Sequence, residues 1–145
     1  MIVRRERALS ASREEVWRLV GDPEGLPRWW PGVTRVEEAS PEAWITVLTS
    51  PKGKRVRADY SRVAVEEGRR LVWRQELEGS PFERILAEAV TTVELAPDDG
   101  GTRVTIALDQ RPRGWTRFAP FQLRAAGARQ VEGALAGLER VLGAR

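Results

Sequence analysis

The sequence predicts an α+β domain: one curved antiparallel sheet of about six to seven strands, with a long C-terminal helix packed on one face. Three observations carry that expectation. Residues 33–111 fall into short runs of alternating apolar and polar residues, separated by Gly, Pro, Ser and Asp. The last thirty residues switch to a three- and four-residue apolar period. The chain is 145 residues long and 41% hydrophobic, which suits a single domain over 1–145 that buries roughly 70% of its unfolded surface. No internal repeat, low-complexity tract or linker divides it.

The elements follow in order. Ile2, Arg4 and Glu6 alternate with Val3, Arg5 and Arg7, predicting a strand over about 2–9. Ser12 followed by Glu15 fits a capping box, and Val16, Leu19 and Val20 supply the apolar stripe of a short helix. Asp22-Pro23 starts a second short helix that runs to about Trp30, and Pro31-Gly32 ends it. Strands are then expected at Val33–Glu38, Trp44–Leu48, Val56–Val65, Arg70–Leu77, Glu83–Ala96 and Thr102–Arg111. Turns at Ser40-Pro41, Ser50-Pro51-Lys52-Gly53, Glu66-Glu67-Gly68 and Pro97-Asp98-Asp99-Gly100-Gly101 separate them. In the fifth of these strands Ile85, Ala87, Ala89, Thr91, Val93 and Leu95 are expected to share one face. Phe121, Ala125, Ala128, Val131, Leu135, Leu138 and Leu142 form the helix stripe, with Pro120 in its first turn.

Composition excludes much chemistry. The chain contains no His and no Cys, which removes disulfides, zinc fingers, thiolate clusters and every Ser-His or Cys-His relay. No cofactor or metal is expected. An all-oxygen Mg or Ca site has no motif behind it. No apolar run reaches the length of a membrane span and the N-terminus lacks a signal-peptide core, so a cytoplasmic location is expected. The 24 Lys and Arg exceed the 21 Asp and Glu by three. The high pI of 10.1 reflects arginine, since only Lys52 and Lys54 are lysines. That balance argues against nucleic acid as the partner.

The segment SASREEVWRLVGDPEGLPRWWPGV, together with the order of elements, resembles the START-like, helix-grip superfamily (SRPBCC). Within it the resemblance is to the polyketide cyclase/dehydrase and lipid-transport branch. The matching positions are Glu15, Val16, Trp17, Leu19 and Val20, then Asp22, Leu26, Pro27, Trp29 or Trp30, Pro31 and Val33. The final VEGALAGLERVL fits as well, so the resemblance spans the chain. It implies a curved sheet wrapped around the C-terminal helix, and an elongated apolar cavity that binds a hydrophobic small molecule such as a lipid, quinone or polyketide. Members range from lipid carriers to cyclases, hormone receptors and chaperone activators, so the fold does not choose among them. No catalytic set carries over. A polyketide cyclase- or aromatase-like enzyme is the alternative reading, working by orientation of its substrate.

Candidate ligand contacts come next. Trp29 and Trp30 are adjacent, so both cannot face the core; one gates the cavity mouth, or both pack between the short helices. Trp73 and Gln75 share a face of their strand, as an apolar wall with an orienting amide or as core and strand end. Tyr60 alternates with Val56 and Ala58; its hydroxyl orients a ligand or reaches solvent. Thr91 with Ala87 and Ala89, facing Ala125 to Ala128 of the helix, leaves volume unfilled, or lets helix and sheet approach closely. Phe118, Phe121 and Ala125 complete the expected ligand-binding set. For an enzyme, no carboxylate falls on an apolar inner face; Asp109, near a strand end, comes nearest.

Residues 111–129 carry five arginines and no acid, interleaved with Trp115, Phe118 and Phe121. This segment is either a solvated helix face or a docking surface. Arg117 and Arg124, seven apart, are the expected transient contact with a membrane surface. A protein- or RNA-interaction module using the same segment is the third reading. The chain is expected to act as a monomer or homodimer.

Overall fold

The computed structural model describes residues 1–50 and 52–143. Pro51 of the expected Ser50–Gly53 turn, and residues 144 and 145 of the expected domain, lie outside the described residues. Strand β1 is Ile2–Leu9, followed by helix α1 at Arg13–Val20. A 3-10 turn at Pro23–Gly25 leads into α2, Leu26–Trp29. Six strands follow: β2 Val33–Glu37, β3 Ala43–Thr49, β4 Arg55–Glu66, β5 Arg70–Glu76, β6 Leu86–Asp98 and β7 Gly101–Pro112. A second 3-10 turn, Gly114–Phe118, precedes helix α3, Pro120–Leu142.

All neighbouring strands are antiparallel, in the order β1-β7-β6-β5-β4-β3-β2. Only the β1–β7 contact joins strands that are distant in sequence. Bulges at Val33/Arg35, Arg62/Ala64 and Leu86/Glu88 interrupt the ladders, and such bulges bend a sheet where they occur. The tight β6–β7 hairpin follows from its turn residues. Asp99 and Gly100 both take positive φ, 43° and 85°, as a two-residue type I′ loop requires.

Local chemistry also explains the first helix. Ser12 Oγ accepts from Glu15 N–H, and the Glu15 carboxylate reaches back to the Ser12 N–H, closing the capping box. Val16, Leu19 and Val20 are buried. Asp22 caps the 3-10 turn by accepting from Glu24 N–H. The main core joins these helices to the concave face through Leu9, Val93, Val104, Ile106, Val131, Leu135 and Leu138. A smaller cluster of Leu77, Leu86 and Ala89, with Phe82, Ile85 and Leu123 against it, sits apart. Among the described residues no helix is long and apolar enough to cross a membrane.

Four local expectations change. The expected strand start at Glu83 is a turn, because Ile85 and Leu86 both donate to the Phe82 carbonyl, and β6 begins at Leu86. The bulge at Leu86/Glu88 then shifts the alternation, so Leu86 is buried and Ala87 is exposed. The second short helix splits into a 3-10 turn and one α-turn, with Trp30 already extended at φ −86° and ψ 127°. In α3 the inward face begins at Leu123 and Gly127. Phe121 and Ala125, expected on the apolar stripe, are exposed, since Phe121 is turned about 200° from Leu123.

Candidate functional site

A cavity of about 250 Å³ lies between the concave face of the sheet and the first half of α3. It sits where the two hydrophobic clusters fail to meet. Its floor is a set of cross-strand neighbours whose side chains share one face. Trp44 of β3 is opposite Tyr60 of β4, and Tyr60 is opposite Gln75 of β5. Beside this row Trp73 of β5 is opposite Thr91 of β6, itself opposite Leu108 of β7. Ala89 and Thr91 from β6, and Ala126 from α3, are too small to fill the gap between sheet and helix.

Aromatic rings order the deep end. Trp44 stacks on Tyr60 with ring centres 6.1 Å apart and 10° between planes. Trp73 meets Trp44 edge-on at 6.0 Å and Trp30 at 5.9 Å, the offset geometries that ring quadrupoles favour. At the other end, Phe82 and Ile85 of the β5–β6 connection and Leu123 of α3 line the cavity. Ala126 and Gln130 line it while remaining exposed, which places the mouth along this part of α3.

The structure therefore puts Trp30, Tyr60, Trp73, Gln75 and Thr91 on the cavity wall. It separates Trp29 from Trp30. Trp29 ends α2 and is 2% exposed in the core, whereas the extended backbone at Trp30 turns its ring toward the cavity. The two rings meet edge-on at 5.5 Å. Phe118, Phe121 and Ala125 are not on the wall. Phe118 is 85% and Phe121 86% exposed, because the 3-10 turn and first helical turn carry them past the mouth on the outer side. Trp44, Thr46, Leu123 and Gln110 line the cavity without having been singled out, while Ala126, one of the small helix residues expected to leave volume unfilled, does line it. For Trp44 and Thr46 a signal existed, the alternation Trp44-Thr46-Leu48 paired against Tyr60. For Leu123 none did, since the helix phase follows from docking.

The polar groups of the wall are all uncharged: Thr46, Tyr60, Gln75, Thr91, Gln110, Gln130 and the Trp30, Trp44 and Trp73 indoles. Thr46 donates to the Ala58 carbonyl. Burial pushes the Tyr60 hydroxyl up to about 12, opposed by its hydrogen bond with the Thr46 side chain. Trp44 Nε1 and Gln75 Nε2 are buried with no hydrogen-bond partner among the described residues. Asp109, the nearest sequence candidate for an acid, is instead paired with the N-terminal amine at 3.5 Å and largely exposed. No cluster of metal-ligating side chains occurs among the described residues.

An outer surface adjoins the mouth. Trp115 is 62% exposed beside Phe118 and Phe121, and the Arg117 guanidinium lies 6.0 Å from the Phe118 ring centre. Arg124 donates to the Ile2 carbonyl at 3.0 Å, and Arg111 pairs with Glu88. Thr116 anchors this segment by donating to the Ile85 carbonyl.

The sequence profile of the family described as polyketide cyclase / dehydrase and lipid transport matches residues 1–143. No curated protein matches the sequence. Among solved structures, TTHA0849 from Thermus thermophilus is similar at a TM-score of 0.79 and 23% identity, over 98% of this chain and 97% of that one. A START superfamily protein from Mycobacterium smegmatis has a TM-score of 0.76 at 14% identity, over 97% and 96%. The di-domain ARO/CYC BexL of the BE-7585A biosynthetic pathway has a TM-score of 0.79 at 21% identity, over 97% of this chain and 45% of that one. These likenesses show a shared helix-grip architecture.

Proposed function

The chain belongs to the polyketide cyclase / dehydrase and lipid transport family, and from that premise we propose that it binds and carries a hydrophobic small molecule in the cavity between sheet and α3. The observation that supports this is the cavity itself, with Trp30, Trp44 and Trp73 on its wall and a mouth at Ala126 and Gln130. Burying about 300 Å² of apolar ligand surface contributes about 7.5 kcal/mol before association costs. A few hydrogen bonds then bring the affinity into the micromolar range. A cyclase- or aromatase-like reaction is the second reading, suggested by the likeness to BexL. It would have to proceed by orienting a reactive chain, since Tyr60 is the only titratable side chain on the described wall.

The exposed Trp115, Phe118 and Phe121, set among Arg113, Arg117 and Arg124, suit a transient contact with an anionic lipid surface. Aromatic rings partition into the interfacial region while guanidinium groups meet phosphates. Such a contact beside the mouth lets a cytoplasmic carrier load without passing its cargo through water.

Intrinsic Trp fluorescence of delipidated protein, titrated with fatty acids, quinones, sterols and aromatic polyketides, tests the carrier reading. Saturable quenching with a submillimolar constant by one class supports it, and no response to any class refutes it. Co-sedimentation with vesicles containing phosphatidylserine tests the surface. Binding should fall in high salt and be lost in F118S/F121S and in R117E/R124E. Binding to RNA but not to vesicles would overturn the lipid-surface assignment.

A further inference from the structure

We infer that Trp30 is the end wall that sets how long a ligand the cavity holds, because its ring stands between the cavity and a second, outer groove. The inference rests on the reading of the cavity as the ligand site.

The outer groove, about 500 Å³ and open to solvent, follows the link from α2 to β2, with Gly133, Ala136 and Arg140 of α3 along its other side. Trp30 and Val33 line both spaces, and no other described residue does. Val33 is short, buried and fixed in β2 opposite Leu48. The partition is therefore mainly the Trp30 ring. That ring is partly exposed, whereas Trp29, Trp44 and Trp73 are buried. Trp29 and Trp73 hold it edge-on, at 5.5 and 5.9 Å between ring centres.

The seams on either side of the ring are closed by close contacts of the main chain. Thr49 N–H donates to the Gly32 carbonyl at 2.9 Å, tying the link to β3. On the helix side, a Cβ at Gly133 would stand 2.6 Å from Pro31 Cγ, and one at Gly137 would strike the Trp29 carbonyl. The link and α3 thus touch at two points about one helical turn apart. Shortening a side chain opens neither seam. Removing the Trp30 ring joins the two spaces, and a hydrocarbon chain that fills the cavity can then continue into the groove against Pro27, Pro31 and Ala136. With the ring in place a longer chain stops there, and its extra methylenes stay in water at the mouth, where they contribute nothing.

The test titrates straight-chain primary alcohols, hexanol to tetradecanol, and follows intrinsic Trp fluorescence, which Trp44 and Trp73 still report when Trp30 is removed. In wild type each added methylene should tighten binding roughly fourfold until the chain meets Trp30, after which affinity should level off. In Trp30→Ala the shortest alcohols should bind more weakly, for want of one wall, and the levelling should disappear. Because the groove covers a chain on one side, each methylene past the wild-type limit should add about twofold. Trp30→Leu opens a smaller gap and should show the same continuation, so the outcome does not hang on the folding of the alanine variant. Ala136→Phe refills the groove from α3. Added to Trp30→Ala it should bring the levelling back, and alone it should leave the wild-type affinities unchanged. The same limiting length in wild type and in the folded Trp30 variants would overturn the inference and leave the carrier reading standing. So would steady gain through tetradecanol in wild type, or continued gain in the Trp30→Ala/Ala136→Phe protein. No saturable change with any alcohol would also overturn it, and silence from the wider ligand panel as well would bring down the carrier reading itself.

Discussion

Gly127 and Gly137 lie on the same helix, and identical substitutions to alanine should change stability in opposite directions. A Cβ at Gly137 would stand 2.2 Å from the Trp29 carbonyl oxygen and 2.9 Å from its C and Cα. These are backbone atoms of α2, so the contact is relieved only by separating the helices. Restoring an ordinary contact of 3.4 Å requires a retreat of about 1.2 Å, and gaps of that order forfeit a quarter to a half of the dispersion attraction across a packed seam. Overpacking at this severity costs about 3 kcal/mol, against about 1 kcal/mol returned by replacing a helical glycine. The net loss of about 2 kcal/mol lowers the melting temperature by roughly 4–8 °C for a chain of this size. At Gly127 the nearest atom is Gln110 Oε1 at 3.3 Å, the tip of a flexible side chain, followed by Leu108 at 3.5 Å and Val3 at 3.6 Å. There the helix-propensity gain of up to about 1 kcal/mol dominates, and melting should rise by roughly 2–4 °C. Thermal denaturation followed by circular dichroism measures both. A Gly137→Ala variant as stable as wild type would refute the view that α2 is clamped against α3 through that glycine.

Two further predictions concern the aromatic residues. Trp29→Ala should cost about 3–5 kcal/mol of stability, whereas Trp30→Ala, partly exposed on the cavity wall, should cost less and should reduce ligand affinity; equal stability losses would remove the distinction between core and wall. Tyr60 is the only tyrosine in the chain, so its ionisation can be followed cleanly by ultraviolet absorbance. Its folded value of about 12 exceeds the ordinary 10, so the native state keeps a proton that the unfolded chain loses. Stability from this group is fully present below pH 10 and falls as the pH rises from 10 to 12; a native titration midpoint near 10 would contradict the buried setting.

Sequence alone was sufficient where the determining forces act over a few residues. The capping box at Ser12 and Glu15, the stripe Val16-Leu19-Val20 and the Asp99-Gly100 hairpin each close within one turn of chain. Strand alternation placed Trp73, Gln75, Tyr60 and Thr91 on shared faces because side chains alternate strictly along an uninterrupted strand. The tertiary structure decided everything that depended on phase or register. One bulge at Leu86/Glu88 exchanged Leu86 for Ala87 on the inner face, since a single inserted residue reverses the alternation before it. The apolar period of α3 gave its length, but its first turns dock through Leu123 and Gly127, leaving Phe118 and Phe121 outside. The separation of Trp29 from Trp30 came from the end of α2 against Gly137. The row of Trp44, Tyr60 and Gln75 along the cavity wall exists only through the pairing of three strands. Local chemistry names the elements, and long-range packing selects which side chains face the cavity, because burial is a property of the partner surface as much as of the residue.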